Sequence, residues 1–306
     1  MPESVRQNLR FIPAWARSQI CRHKPDQNET PVNGGRSEIA QYVTNARQVA
    51  TEHGLRDAFM TYIFPVIEGY LNDGRVAAAG ECLDAAEEMK TAAEEPLDCF
   101  TILSLAELYH QAGQTAKAEA FFAEVLNRGT SDKEKDWVAS SYAKIGFADK
   151  AFKIADQIGS PMQRFLAFRD IADYYTDSGR LELAKDAWLH ASRTAETESN
   201  RDFKIDHLIL CGESLLLLNC KAEAKEVLWL AANFIARLFS LHGYDQALEK
   251  EKLENITVLL LNCGEDTEKV ITIIAQKLDM EENDRATVMV SIQDLLKQLY
   301  AELQAS

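Results

Sequence analysis

Glycine and proline are scarce in this chain, 14 and 7 of 306 residues. A fold of many short strands needs both at its turns, so their scarcity, beside abundant Ala, Leu, Glu and Lys, argues against a many-turned β architecture and for helices. Positive charge is also in deficit. The chain carries 33 Lys/Arg against 48 Asp/Glu, a formal net charge of −15. A nucleic-acid partner needs a basic face to neutralise phosphate, so none is expected, and adhesion to an anionic membrane is disfavoured on the same ground. No apolar run reaches the ~20 residues needed to span a bilayer. The most apolar stretch, Leu208–Leu218, is broken by Cys211-Gly212-Glu213-Ser214.

Chemistry-bearing motifs are missing as well. There is no phosphate-cradling glycine loop, no dinucleotide-binding glycine triplet, no G-x-S-x-G elbow and no H-E-x-x-H. The six cysteines, residues 21, 82, 99, 211, 220 and 263, form no C-x-x-C pair and sit in apolar helical segments. Free thiols there read as small core residues, which implies a reducing, cytoplasmic setting and no metal site. The six histidines share no ligand spacing, and His110 and His190 read as surface or packing residues of helices. Acid pairs such as Glu87-Glu88 read as solvated helix faces, since nothing else of a hydrolase site accompanies them. The expectation is therefore no catalytic residue, no cofactor and no enzyme.

What the chain has instead is a repeat. Leu105-Ala106, Tyr109, Gly113, Ala118, Phe122 and Val125 recur at identical offsets as Val138-Ala139, Tyr142, Gly146, Ala151, Ala155 and Ile158. They recur again as Ile171-Ala172, Tyr175, Gly179, Ala184, Trp188 and Ala191, with a period of 33 residues. Flanking copies are Val66-Ile67, Tyr70, Gly74, Ala79, Leu83, Ala86 and Cys211-Gly212, Leu215, Asn219, Ala224, Leu228, Ala231. An apolar-small pair followed three residues on by an aromatic shares one helix face. Gly or Asn four residues later ends that helix in the left-handed conformation. The alanine five further on lets a second helix approach closely, and the large residues after it continue a buried stripe. One such hairpin cannot bury both faces, so neighbours must stack.

Spacings between turn positions are 39, 33, 33 and 40 residues. The two long intervals place extra residues near Lys90–Pro96 and Thr194–Arg201, read as longer second helices. A sixth unit is expected where Leu215-Leu216-Leu217-Leu218-Asn219-Cys220 recurs as Val258-Leu259-Leu260-Leu261-Asn262-Cys263, a shift of 43, with Thr267, Ile271 and Ile274 continuing it. A last helix over Asp284–Gln304 would cap the array. Upstream, Ser37–His53 reads as a helix stopped by Gly54, and Pro65 should interrupt the helix after it. Residues 1–36 hold six Lys/Arg and three Asp/Glu, leaving −18 on the rest. They read as a partly disordered extension: a polar linker over residues 22–36, preceded by a short amphipathic segment. The repeat domain then occupies residues 37–306.

The small-plus-aromatic first helix, glycine turn and Ala-x-x-x-large second helix resemble the tetratricopeptide (TPR) repeat over roughly residues 60–235. Two departures stand out. The family's tryptophan near the start of each first helix is missing from its usual place, and the closing proline is mostly absent, although Gly159-Ser160-Pro161 makes a serine cap with proline at the first position of the next helix. The resemblance implies an all-α, right-handed α-solenoid of about five to six antiparallel helix-turn-helix repeats with a C-terminal capping helix. It also implies a concave groove lined by first helices, reached by the residue after the small position. Those residues are Glu68, Glu107, Ser140, Asp173 and Glu213, four of them acidic. Phe64, Leu103, Asp136, Arg169 and Ile209 stand where the family's basic carboxylate clamp would be, so chaperone tails are not expected as ligands. The expected partner is a basic or amphipathic protein segment, or the chain's own basic residues 4–24. The rival readings are a peptide-responsive regulator, a secreted effector and an enzyme subunit on an α-solenoid. The apolar run Leu228-Trp229-Leu230 and residues 234–239 leave homo-oligomerisation open.

Overall fold

The computed structural model describes residues 36–239, 246–266, 269–270 and 272–273. The extension before residue 36, the apolar residues 271 and 274, and the expected capping helix lie outside the described residues, and Thr267 does too. Among the described residues every regular element is helical and none is a strand. The chain divides into two compact units at Gly129/Thr130.

The first unit contains α1 (Arg36–His53), α2 (Leu55–Ala58), a π-helical turn (Phe59–Ile63), α3 (Phe64–Asn72), α4 (Val76–Ala92), α5 (Cys99–Gln111) and α6 (Thr115–Asn127). Gly54, with φ +95°, separates α1 from α2 as expected. Pro65 does not break its helix. It sits at the start of α3, directly after the π turn. Proline has no N–H to donate and its ring crowds the carbonyl four residues back, and a wider π turn accommodates both. Helix α3 packs on α4 and α5, α4 on α5, and α5 on α6.

The second unit contains α7 (Asp132–Lys144), α8 (Ala148–Ala155), α9 (Pro161–Asp177), α10 (Leu181–Glu196), α11 (Arg201–Leu217), α12 (Lys221–Phe239) and α13 (Gln246–Asn262). The pairs α7–α8, α9–α10 and α11–α12 pack directly, and α7 also packs on α9. The long intervals in the sequence are long second helices, α4 with 17 residues and α10 with 16, against 8 in α8.

Each first helix ends in the same way. The N–H of Gly113 donates to His110 O at 2.8 Å and that of Gln114 to Tyr109 O at 2.8 Å. This is the Schellman pattern, which satisfies two carbonyls left open at the helix end and places one residue in the left-handed region. Gly74, Gly146, Gly179 and Asn219 repeat it; Asn219 (φ 61°) is the single non-glycine with positive φ among the described residues. The tyrosine of the repeat is the residue whose carbonyl accepts from the N–H five residues further on. The residue after the turn closes over its ring: Arg75 over Tyr70 at 4.5 Å, Phe147 against Tyr142 at 6.4 Å, Arg180 over Tyr175 at 5.4 Å.

The second helices then start without a side-chain cap. The carbonyl of the post-turn residue accepts from the repeat's alanine, as in Ala118 N to Gln114 O at 3.2 Å and Ala184 N to Arg180 O at 3.0 Å. Those alanines, 79, 118, 151, 184 and 224, are fully buried. The first helices α5, α7, α9 and α11 are capped instead by side chains: Asp98, Ser131 in a capping box with Glu134, Ser160 ahead of Pro161, and Asn200.

The sixth unit is shifted from its expected register. Its turn residue is Gly264 (φ 90°), whose N–H donates to Leu261 O while Glu265 N donates to Leu260 O. Leu260 therefore plays the part of Leu215, both fully buried, and the shift is 45 residues rather than 43. The Leu-Leu-Leu-Asn-Cys identity misled because glycine takes the left-handed turn at less cost than Asn262 would.

Candidate interaction surface

The residues nominated from the sequence fall in both units. In the first, Glu68 lies on α3 and Glu107 on α5, two helices in contact. Burial of its carboxylate and the nearby Glu107 charge push the pKa of Glu68 up. The Glu107 charge on the neighbouring first helix thus adds to the energy of the Glu68 charge.

In the second unit, Ser140 lies on α7, Arg169 and Asp173 on α9, and Glu213 on α11. Glu213 accepts a hydrogen bond from Asn255 Nδ2 of α13 at 3.2 Å, so it is tied to the next helix. Ser140 is half-buried and makes no contact that assigns it a role. Arg169 is engaged with its own neighbour. Its Nε and Nη2 donate to Asp170 Oδ1 at 3.1 and 2.7 Å. Asp173 is pushed up by burial of its carboxylate; Arg169 works against this and Asp170 with it.

Three residues matter here that were not nominated as site residues. Asp136 of α7 is half-buried, its Oδ1 has no hydrogen-bond partner, and burial with the Asp170 charge pushes its pKa up to about 6 despite Arg169. Asp136 stands at the position where the next repeat has Arg169, which the spacing alone could have flagged. Asp170 has no such marker, since it falls on none of the repeat's recurring positions. His207 of α11 stacks on Phe165 with centroids 3.7 Å apart and on Phe203 at 6.0 Å. Burial pushes its pKa down, and its Nδ1 has no hydrogen-bond partner. His190 is a packing residue, between Phe152 at 5.2 Å and Phe168 at 4.9 Å.

Among the described residues no group of His, Cys, Asp or Glu is placed to hold a metal, and no helix is long and apolar enough to cross a membrane. Cys211 is fully buried, and burial pushes its thiol far up, away from the reactive thiolate. What the surface can do is electrostatic. Glu68 in the first unit, and Asp136 and Asp173 in the second, are carboxylates held above their ordinary pKa, and a cation arriving beside any one of them would relieve that penalty.

No family model matches this chain, and no curated protein does. Among solved structures, the crystal structure of BtubC (BKLC) from P. vanneervenii is similar at 15% identity, covering 84% of this chain and 90% of that one, with a TM-score of 0.31. A likeness of that size carries no argument about fold or function.

Proposed function

We propose that this chain is a non-catalytic adaptor of the TPR-like class, its hairpins stacking within each unit as a right-handed, antiparallel α-solenoid. The first-helix faces take a basic or amphipathic segment of a protein partner, in a cytoplasmic setting. The observation that carries the reading lies in the second unit: Asp136 of α7 keeps a buried Oδ1 without a hydrogen-bond partner, against α9 with its acids Asp170 and Asp173. A first-helix face on which one arginine stands among three carboxylates is complementary to a basic ligand. The shared helix-ending turns support the repeat reading, since one turn chemistry at six places generates one hairpin geometry.

The test reverses charge at Glu107, Asp173 and Glu213 together, each to Lys. Binding of a fluorescein-labelled amphipathic leucine/arginine peptide is then followed by anisotropy against salt. The expected result is a loss of about tenfold or more in affinity and a flattened salt dependence. Unchanged binding by a variant with intact helical circular dichroism sinks the proposal.

A further inference from the structure

The Arg169–Asp170 pair joins consecutive residues of one helix. Such side chains diverge by about 100° around the axis and do not face each other naturally. Their side chains are 37% and 44% exposed, and an exposed pair of this kind contributes little to stability. On the adjacent helix α7, Asp136 occupies the repeat position equivalent to Arg169, 33 residues earlier. It keeps a buried oxygen without a hydrogen-bond partner and feels the charges of both Arg169 and Asp170. Asp173, about one turn along α9, is exposed and feels the same two charges. A cation arriving from solvent therefore meets Asp170 and Asp173 first, while Asp136 is half-buried with its Oδ1 covered.

We propose that Asp170 and Asp173 dock an arginine or lysine side chain of the partner segment, and that docking releases Arg169 from Asp170 to pair with Asp136. The inference rests on the proposed function above. Before docking, one cation serves three carboxylates. After it, two cations serve three, and the carboxylate least able to bear an unpaired charge has gained a partner. Asp136 is then a positioning residue: it touches Arg169, never the partner, and still sets partner affinity. The part-buried Arg169 guanidinium donates to Asp170 of its own helix, and its charge already acts on Asp136 of α7.

The experiment uses the full chain, the labelled leucine/arginine peptide and its citrulline counterpart, which keeps the shape and lacks the charge. The variants are D136N, R169Q, the double variant D136N/R169Q, and D170N/D173N. The expected pattern has four parts. The citrulline peptide binds far more weakly. D170N/D173N loses about tenfold in affinity. D136N loses about fivefold while its Tm rises, and that loss disappears in the R169Q background, as a double-mutant cycle requires of two coupled residues. Wild-type affinity in D136N, with the arginine peptide still preferred, overturns the exchange and leaves the adaptor reading standing. Wild-type affinity in D170N/D173N overturns the docking site. Equal binding of the arginine and citrulline peptides by the wild-type chain overturns the adaptor reading, and the exchange with it.

Discussion

Gly212 marks a close approach of α11 to a side chain of α12. A Cβ built there would lie 2.5 Å from Leu228 Cδ2, across the α11–α12 contact. The sequence marked the position only as "small", yet here only hydrogen fits. Gly212→Ala should therefore destabilise by roughly 1–3 kcal/mol in urea unfolding. Leu228→Ala in the same chain should recover part of that loss, because the clash is with that side chain. Tyr109 and Tyr175 make a second contrast between residues in equivalent places. The Tyr109 hydroxyl lies 2.9 Å from Leu83 O and 3.0 Å from Glu87 Oε2, with Lys117 Nζ donating to the same carboxylate at 2.9 Å. The residue 22 before Tyr175, where Glu87 precedes Tyr109, is Lys153, and the Tyr175 hydroxyl has no hydrogen-bond partner. Tyr109→Phe should cost about 1 kcal/mol, and Tyr175→Phe close to nothing, by thermal or chemical melting. Periodicity showed that both tyrosines are buried; it could not show which hydroxyl finds an acceptor.

At the scale of the element, the turn carries the repeat. Asn219 adopts the left-handed conformation that glycine takes in the equivalent turns. Asn219→Ala should lower stability by roughly 1 kcal/mol, since alanine lacks the local hydrogen bonding that lets asparagine tolerate that region; Asn219→Gly should be near neutral. A melt in which the alanine variant matches wild type would count against the assigned turn. The contact of α7 with α9 predicts a pH response. The pKa of Asp136 is raised to about 6 in the folded chain, so its favourable contribution is complete below its unfolded value and is lost as pH rises through about 6. Charged Asp136 costs on the order of 2 kcal/mol at neutral pH. Asp136→Asn should therefore be the more stable protein at pH 7. The gap between the two unfolding curves should grow from about pH 4 to about pH 7. His207 acts in the opposite sense. Its pKa is lowered by burial, so its contribution is present above about 6.5 and falls away as pH drops below that.

For the whole molecule, net charge and repeat structure make the functional argument, and its prediction is the salt-dependent capture of a basic peptide set out above. The expected groove residues are held by several helices, but they are not equivalent: Glu68 and Glu107 oppose each other, Glu213 is tied to Asn255, and Arg169 is taken up by Asp170. The sequence by itself determined the helical class, the hairpin boundaries and the turn residues through Gly179 and Asn219. Each of these depends on interactions within a few residues of the chain, and such interactions repeat wherever the residues repeat. Only the tertiary structure decided the register at Gly264, the passage of the helix by Pro65 through a π turn, and the isolation of the Asp136 carboxylate. Those outcomes depend on which side chain a neighbouring helix brings into contact, and an offset of 33 residues along the chain says nothing of the charge it will find there.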